Sequence, residues 1–342
     1  MKLGTVLVFP ASLLGMVVAS PRPRLPYKID THHHFLPQVY RNALESAGGD
    51  PSGWPTPDWT PRASLENMAS NGIQKAILSL TAPGAAIAPD VESARNLARQ
   101  VNEEAARLRK QYPKSFGFFA SLPSLTDIPG SLAEIAYALD VLKADGVTLF
   151  TRYGDGNNYL GHPQFTPIWE ELNARKAVVF IHPTHPVNTT WTNPLLPQPV
   201  IDYPHETTRT AVDMIIANVT RKFPDCPKIL SHAGGSLPYL ISRIATTSRE
   251  TEGTKLMYGK TSTELVEDFR SFYFDLALSS SPAVLNMLLD LVPHNQIIYG
   301  SDFPYAASDK VAGFRENLDA FHMGDRLRKM IYQGNANDLL RS

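Results

Sequence analysis

Ile29-Asp30-Thr31-His32-His33-His34 is the stretch on which the reading of the fold turns. It begins as a short apolar strand and ends in three consecutive histidines. An open, doubly wound sheet that binds a dinucleotide needs a glycine-rich turn after its first strand, because only backbone without side chains approaches a pyrophosphate closely. Histidines stand there instead, which disfavours that architecture. In an extended strand alternate side chains share a face, so His32 and His34 point together and His33 points away. Two neutral imidazoles on one face make a ready pair of metal ligands.

Working outward, short β-branched or aromatic runs recur along the chain: Tyr27–Asp30, Lys75–Ser79, Phe116–Ala120, Gly146–Leu149, Val178–Ile181, Ile229–Ser231, Phe272–Asp275 and Ile297–Tyr299. Apolar strands of this length suit a parallel sheet buried on both faces. Between them lie segments of helical periodicity: Pro61–Asn71, Asp90–Tyr112, Ile128–Lys143, Pro167–Lys176, Glu206–Phe223, Ser236–Arg249, Pro282–Leu291 and Asp309–Ile331. Gly72 stops the first, and Pro61, Pro167 and Pro282 stand near helix starts, where a missing N–H costs little. Strand–helix alternation repeated eight times predicts an α/β fold of the (β/α)8 TIM-barrel type. The Gly-, Pro- and Trp-rich stretch 35–60 is too long for an ordinary loop and reads as a small lid-like excursion over the barrel mouth.

A barrel of this kind assembles its site from the C-terminal ends of several strands. Val178-Val179-Phe180-Ile181 runs into His182, Ile229-Leu230-Ser231 into His232, and Ile297-Ile298-Tyr299-Gly300-Ser301 into Asp302. With the His32/His34 pair, these positions converge on strands one, five, six and eight. Imidazoles with one carboxylate suit Zn²⁺, with Mn²⁺ or Fe²⁺ as alternatives. A second, lysine-bridged ion is disfavoured: the fourth strand ends in Thr148-Leu149-Phe150, and Lys143 lies before it, at the other mouth.

The 342 residues carry 32 Lys+Arg against 33 Asp+Glu, and this balance leaves no electrostatic footprint for nucleic acid. A single cysteine, Cys226, excludes an internal disulfide framework. Lys2, the apolar run Leu3 to Val18, and the small residues Val17 and Ala19 read as a cleavable secretory signal over residues 1–20. The barrel domain then spans 21–342, and a secreted or secretory-pathway protein is expected, with a cytoplasmic location as the alternative. In that pathway Asn188 and Asn218 are glycosylation acceptors. No later segment reads as membrane-spanning.

Four motifs carry a family resemblance: Asp30-Thr31-His32-His33-His34-Phe35-Leu36-Pro37, Val179-Phe180-Ile181-His182-Pro183, Ser231-His232-Ala233-Gly234-Gly235-Ser236-Leu237-Pro238-Tyr239 and Tyr299-Gly300-Ser301-Asp302-Phe303-Pro304. The chain resembles the amidohydrolase-related, metal-dependent decarboxylases, a group that includes aminocarboxymuconate semialdehyde and γ-resorcylate decarboxylases. It is most similar in flavour to the fungal 6-methylsalicylate decarboxylase branch. The resemblance implies that His32, His34, His182 and Asp302 bind one divalent metal, with His232 beside it as an acid/base. It also implies that Arg243, eleven residues after His232, reaches into a neighbouring subunit, hence a homodimer. A second arginine of the semialdehyde enzymes falls near Ser64 here and is absent, with Arg62 close by, which argues against the muconate semialdehyde as substrate.

The expected reaction is non-oxidative loss of CO₂ from a small aromatic carboxylic acid, 6-methylsalicylate giving m-cresol. Metal-linked Asp302 is the expected proton donor, with His232 tuning it or exchanging the proton; the reverse assignment is the alternative, since two close titrating groups share their protons. Arg209 and Arg243 are candidate carboxylate anchors, because a guanidinium pairs bidentately with such groups. The alternative reading is a metal-dependent hydrolase of a lactone or amide, in which His232 serves as base to an activated water.

Overall fold

The first strand, β1 (Lys28–Phe35), extends through all three histidines rather than stopping at Asp30. Backbone pairing on both sides holds it there: His34 lies against Ser79 of the second strand, and His33 against Phe303 of the segment following the eighth. The computed structural model describes residues 25–247 and 258–341. The expected leader at 1–20 and the last residues of the expected helix Ser236–Arg249 lie outside the described residues.

The other strands are β2 (Ile73–Leu80), β3 (Phe116–Ala120), β4 (Gly146–Phe150), β5 (Val179–His182), β6 (Lys228–Leu230), β7 (Tyr273–Asp275) and β8 (Ile297–Ile298). They form one eight-stranded parallel sheet in sequential order. The sheet closes where β1 meets the segment after β8. Thr31 N–H donates to the Tyr299 carbonyl at 3.0 Å, His34 N–H to Phe303 O at 2.7 Å and Asp302 N–H to His32 O at 2.8 Å. A Cβ on Gly300 would stand 2.8 Å from that of His32, so a side chain there would push the seam apart. The barrel expected from the sequence is therefore the barrel found.

Helices α2 (Pro61–Asn71), α3 (Val91–Gln111), α4 (Ile128–Ala136), α5 (Thr166–Ala174), α6 (Gln198–Ile216), α7 (Val219–Lys222), α8 (Leu237–Thr247), α9 (Ser262–Phe269), α10 (Pro282–Leu291), α11 (Ser308–Ala320), α12 (Asp325–Lys329) and α13 (Asn335–Leu339) are packed around the sheet. Helix α1 (Gln38–Ser46) lies inside the 35–60 excursion, where no helix was expected; Tyr40 and Leu44, one turn apart, bury its inner face. Helix α9 was also unforeseen, although Thr261 and Glu264 form a complete capping box at its start. Helix α6 begins eight residues earlier than read, because it accommodates Pro204 within it. The expected helix Asp309–Ile331 breaks instead at Phe321, which is extended, and Arg328 caps the end of α11 by donating to the Leu318 and Phe321 carbonyls.

Inside the barrel, Ile29, Ile77, Phe119, Val178, Phe180, Ile229 and Ile298 form a core, with Leu339 of α13 packed into it. Phe119 and Phe180 stack at 5.7 Å, and the His32 ring stands edge-on to Phe180 at 4.9 Å. The histidines thus rest on an apolar floor. Among the described residues no helix is long and apolar enough to cross a membrane.

Candidate metal centre

His32 and His34 leave β1 on the same face, His182 closes β5, and Asp302 follows β8. Each of these residues is buried, and one ligand atom from each lies within 4.8 Å of the others. His33 points the other way as read: its Nδ1 meets Asp30 at 2.9 Å and its Nε2 meets Ser64 Oγ at 2.9 Å.

The protein fixes these imidazoles from behind. His32 Nδ1 lies 2.9 Å from Asp275 Oδ2, His34 Nδ1 3.3 Å from the Ser79 carbonyl and His182 Nδ1 2.7 Å from that of Pro183. An acceptor at Nδ1 fixes the hydrogen there and leaves a lone pair at Nε2. Yet His32 Nε2 and His34 Nε2 stand only 3.1 Å apart, and each lies 3.2–3.3 Å from Asp302 Oδ1. Acceptors turned on one another repel unless a shared proton or a cation sits among them. Three imidazoles and a carboxylate are the donor set of a divalent transition metal, so the residues fit the ion that the sequence implies.

Among the protein groups alone the same crowding distorts titration. Burial opposes a charge on His32, but Asp275 and Asp302 overrule it and raise its pKa to about 10. Burial would lift Asp302, yet hydrogen bonds from His32 and His34 hold it well below the carboxylate range. His182 is driven well below the usual histidine range by burial and by the neighbouring imidazoles.

His232 stands beside this group, its ring 4.8 Å from that of His32. Its Nδ1 lies 3.1 Å from the Ala277 carbonyl, and its backbone N–H donates to Asp275 Oδ1 at 3.1 Å. His232, Ala233, Gly234 and Gly235 all take positive φ, a tight reversal. A Cβ on Gly235 would stand 2.0 Å from the Pro204 carbonyl, so glycine lets this turn lie against α6. Burial and the nearby His32 lower the His232 pKa, and the Ala277 carbonyl at Nδ1 turns the Nε2 lone pair outward.

Asp275 carries no role in the sequence reading, yet it holds both His32 and His232. The signal was present: an aspartate ends the seventh strand, at the same rim as the other strand-end residues. Tyr203 and Tyr305 were missed as well; their rings stand 6.2 Å from His182 and 5.6 Å from His34. A cleft of about 260 Å³ opens between the loops after β2, β4 and β5, lined by Pro83, Ile87, Phe150, Arg152, Thr184 and His185 among others. Phe150, in the wall of this cleft, has its ring 6.2 Å from that of His182, but none of the four candidate ligands lines the cleft.

The two candidate anchors lie apart from the ligands' hydrogen bonds. Arg209 donates to the Tyr159 hydroxyl at 2.9 Å and approaches Glu206 at 3.6 Å. Arg243 is exposed on α8. Of the two glycosylation positions, Asn188 is exposed, whereas Asn218 is half-buried and its Oδ1 accepts from Lys260. The 35–60 excursion touches the loop after β5, where Trp191 Nε1 donates to the Ser52 carbonyl at 3.2 Å.

The amidohydrolase family model matches residues 29–342. The chain is 49% identical over 312 residues to the 6-methylsalicylic acid decarboxylase of Penicillium expansum, covering 91% of this chain and 95% of the relative. It is 52% identical over 288 residues to the 6-methylsalicylic acid decarboxylase of Aspergillus aculeatus, covering 84% and 87%. Among solved structures, an amidohydrolase II superposes with a TM-score of 0.84 at 32% identity, over 92% of this chain and 100% of the other. The dihydroxybenzoic acid decarboxylase of Polaromonas, solved with manganese and the inhibitor 2-nitroresorcinol, shares the fold with a TM-score of 0.78 at 23% identity, over 93% and 97%.

Proposed function

The chain belongs to the amidohydrolase family, and from that premise we propose that it is a metal-dependent carboxy-lyase converting 6-methylsalicylate to m-cresol and CO₂. The observation that carries this reading is the convergence of His32, His34, His182 and Asp302 within 4.8 Å, with His232 alongside, in a chain 49% identical to a decarboxylase of that acid.

His32, His34, His182 and Asp302 would hold the ion. A divalent metal bound there supplies Lewis-acid polarisation and a template for anionic oxygens of the substrate. We take zinc as the resident ion on the strength of the three imidazoles, with manganese the alternative that the Polaromonas neighbour supports.

Loss of CO₂ needs a place for the electron pair of the breaking bond. A phenol ortho to the carboxylate provides it once the ipso carbon is protonated. His232 is positioned for that transfer: its Nδ1 is turned to Ala277 O, leaving Nε2 to accept the phenol proton and pass it to the ipso carbon. The phenol O–H bond breaks, the ipso C–H bond forms, and the ring becomes a dienone. The C–COO bond then breaks, its pair restores the aromatic ring, and the oxygen leaves as phenolate, which takes a proton from water. The position of Asp302 Oδ1, 3.2–3.3 Å from Nε2 of both His32 and His34, supports assigning it to the metal rather than to the proton. The exposure of Arg243 and of Tyr239, one turn away at 77%, supports the expectation of a homodimer.

The test is incubation of zinc-loaded protein with 6-methylsalicylate, following m-cresol and CO₂ in equal amounts. Turnover of lactones or amides without decarboxylation would replace this reading with the hydrolase. His232→Asn should keep its metal and lose about 100-fold or more in turnover, the usual contribution of a positioned acid/base. Full activity in that variant would return the proton transfer to Asp302.

A further inference from the structure

Tyr305 stands three residues after Asp302, on the loop that closes the barrel. Its ring is perpendicular to that of His34 at a centroid distance of 5.6 Å. Its hydroxyl is shut off from solvent and has no hydrogen bond of good geometry; the Thr81 side chain is the one protein group that approaches it as a partner. Four other buried phenols are matched. Tyr40 donates to the Thr81 carbonyl at 3.2 Å, Tyr159 to Glu206 at 3.1 Å and Tyr332 to Asp319 at 2.5 Å, while the Tyr153 oxygen accepts from Phe150 N–H at 2.9 Å. A buried hydroxyl left unmatched opposes folding, and native proteins retain few of them, so such an exception calls for a functional partner.

The surroundings define what that partner is. An ordinary phenol is a neutral O–H near neutral pH, able to donate one hydrogen bond. The ligand such a donor matches is an acceptor. Beside His34 that acceptor lies at the metal-facing end of the bound molecule. A hydroxybenzoate brings its carboxylate and ortho oxygen to that end. Phenylalanine would fill the same volume without the donor.

We propose that Tyr305 is a substrate-binding residue whose phenol O–H donates to an anionic oxygen of the hydroxy-aromatic acid. The assignment rests on the decarboxylase reading for the identity of the acid. The hydroxyl selects for acids that present this oxygen, because an analogue without it leaves the buried donor unmatched, and such sites discriminate strongly.

Tyr305→Phe tests it, with two readouts on the zinc-loaded full chain. In steady-state turnover of 6-methylsalicylate, KM should rise at least about tenfold, the scale of a hydrogen bond to a charged group, with kcat changed far less. In calorimetry on a His232→Asn background, which leaves the acid intact, Kd should rise by the same factor. Metal content should remain one ion per chain in all variants, which separates a binding role from a structural one. An unchanged Kd and KM with full metal would overturn the proposal while leaving decarboxylation untouched. Absence of turnover in the wild-type protein would overturn the decarboxylase reading, and the calorimetric comparison would still decide Tyr305. Failure of the wild-type protein to bind the acid at all would overturn both.

Discussion

The two ends of β1 bury polar groups for opposite purposes. At its start, Lys28 is 3% exposed, with its ammonium 3.2 Å from Asp319 and 4.5 Å from the centre of the Tyr332 ring. Nearby, at the start of β6, Lys228 is 5% exposed and donates to the Phe223 and Cys226 carbonyls, each at 2.7 Å. Every charge there meets a complementary group of the protein. Six residues along β1, the His34 Nε2 stands 3.1 Å from that of His32 and 3.2 Å from the Asp302 carboxylate, a crowd of potential ligand atoms. The first end is matched by the protein itself, whereas the second gathers a donor set that could hold a divalent cation. This division between rims is the one expected for the barrel architecture.

The sharpest way to break that contrast is His182→Ala. Removing a candidate ligand whose ring adjoins both His32 and His34 should abolish stoichiometric metal and, with it, turnover. The loss should exceed the ~100-fold that removal of an outer partner costs. Elemental analysis together with a CO₂ assay reads both. Retained metal with full activity would mean that these four side chains are not the centre.

A smaller effect is expected one layer out. Asp275 accepts from the His32 ring and from the His232 backbone, so Asp275→Asn should weaken metal affinity by about 10–100-fold. Excess zinc should recover part of the turnover but not all of it, because the His232 turn also loses its carboxylate. Complete recovery by zinc alone would confine Asp275 to the metal.

What the sequence makes legible follows from the range of the interactions. The strands are visible because burial on both faces forces short apolar runs, and the ligands because they terminate those runs. His32 and His34 announce a shared face through strand periodicity alone. Asp275 is illegible in its role, since its partner lies 243 residues away and only closure of the barrel brings them together. Tyr305 is hidden for a different reason: nothing in Asp302-Phe303-Pro304-Tyr305 tells whether the phenol oxygen finds a partner. Helix α9 is a different kind of miss. Its Thr261–Glu264 box is a local signal that stands in the sequence, but the helix it starts is only eight residues long.

The smallest effect belongs to the far rim, where Lys228→Met should leave metal content, kcat and KM unchanged. Its signature is instead in the pH dependence of stability. Burial depresses the Lys228 pKa in the folded chain, while the unfolded chain titrates near the ordinary lysine value of about 10.4. Below both values each state carries the proton and the folded protein bears the full penalty of a buried charge. As the pH rises through the depressed value, the native state sheds its proton while the unfolded chain keeps it. Stability therefore rises, and levels off above about pH 10.4. Methionine removes the titrating group, so the difference in urea midpoint between wild type and variant should grow with pH across this window, in favour of the wild type. Near neutrality the two should lie within about 2 kcal/mol, because the variant loses the buried charge but leaves two carbonyls without a donor. Parallel pH profiles would show that Lys228 bears no buried-charge penalty, and a loss of metal would show that the two rims are energetically coupled after all.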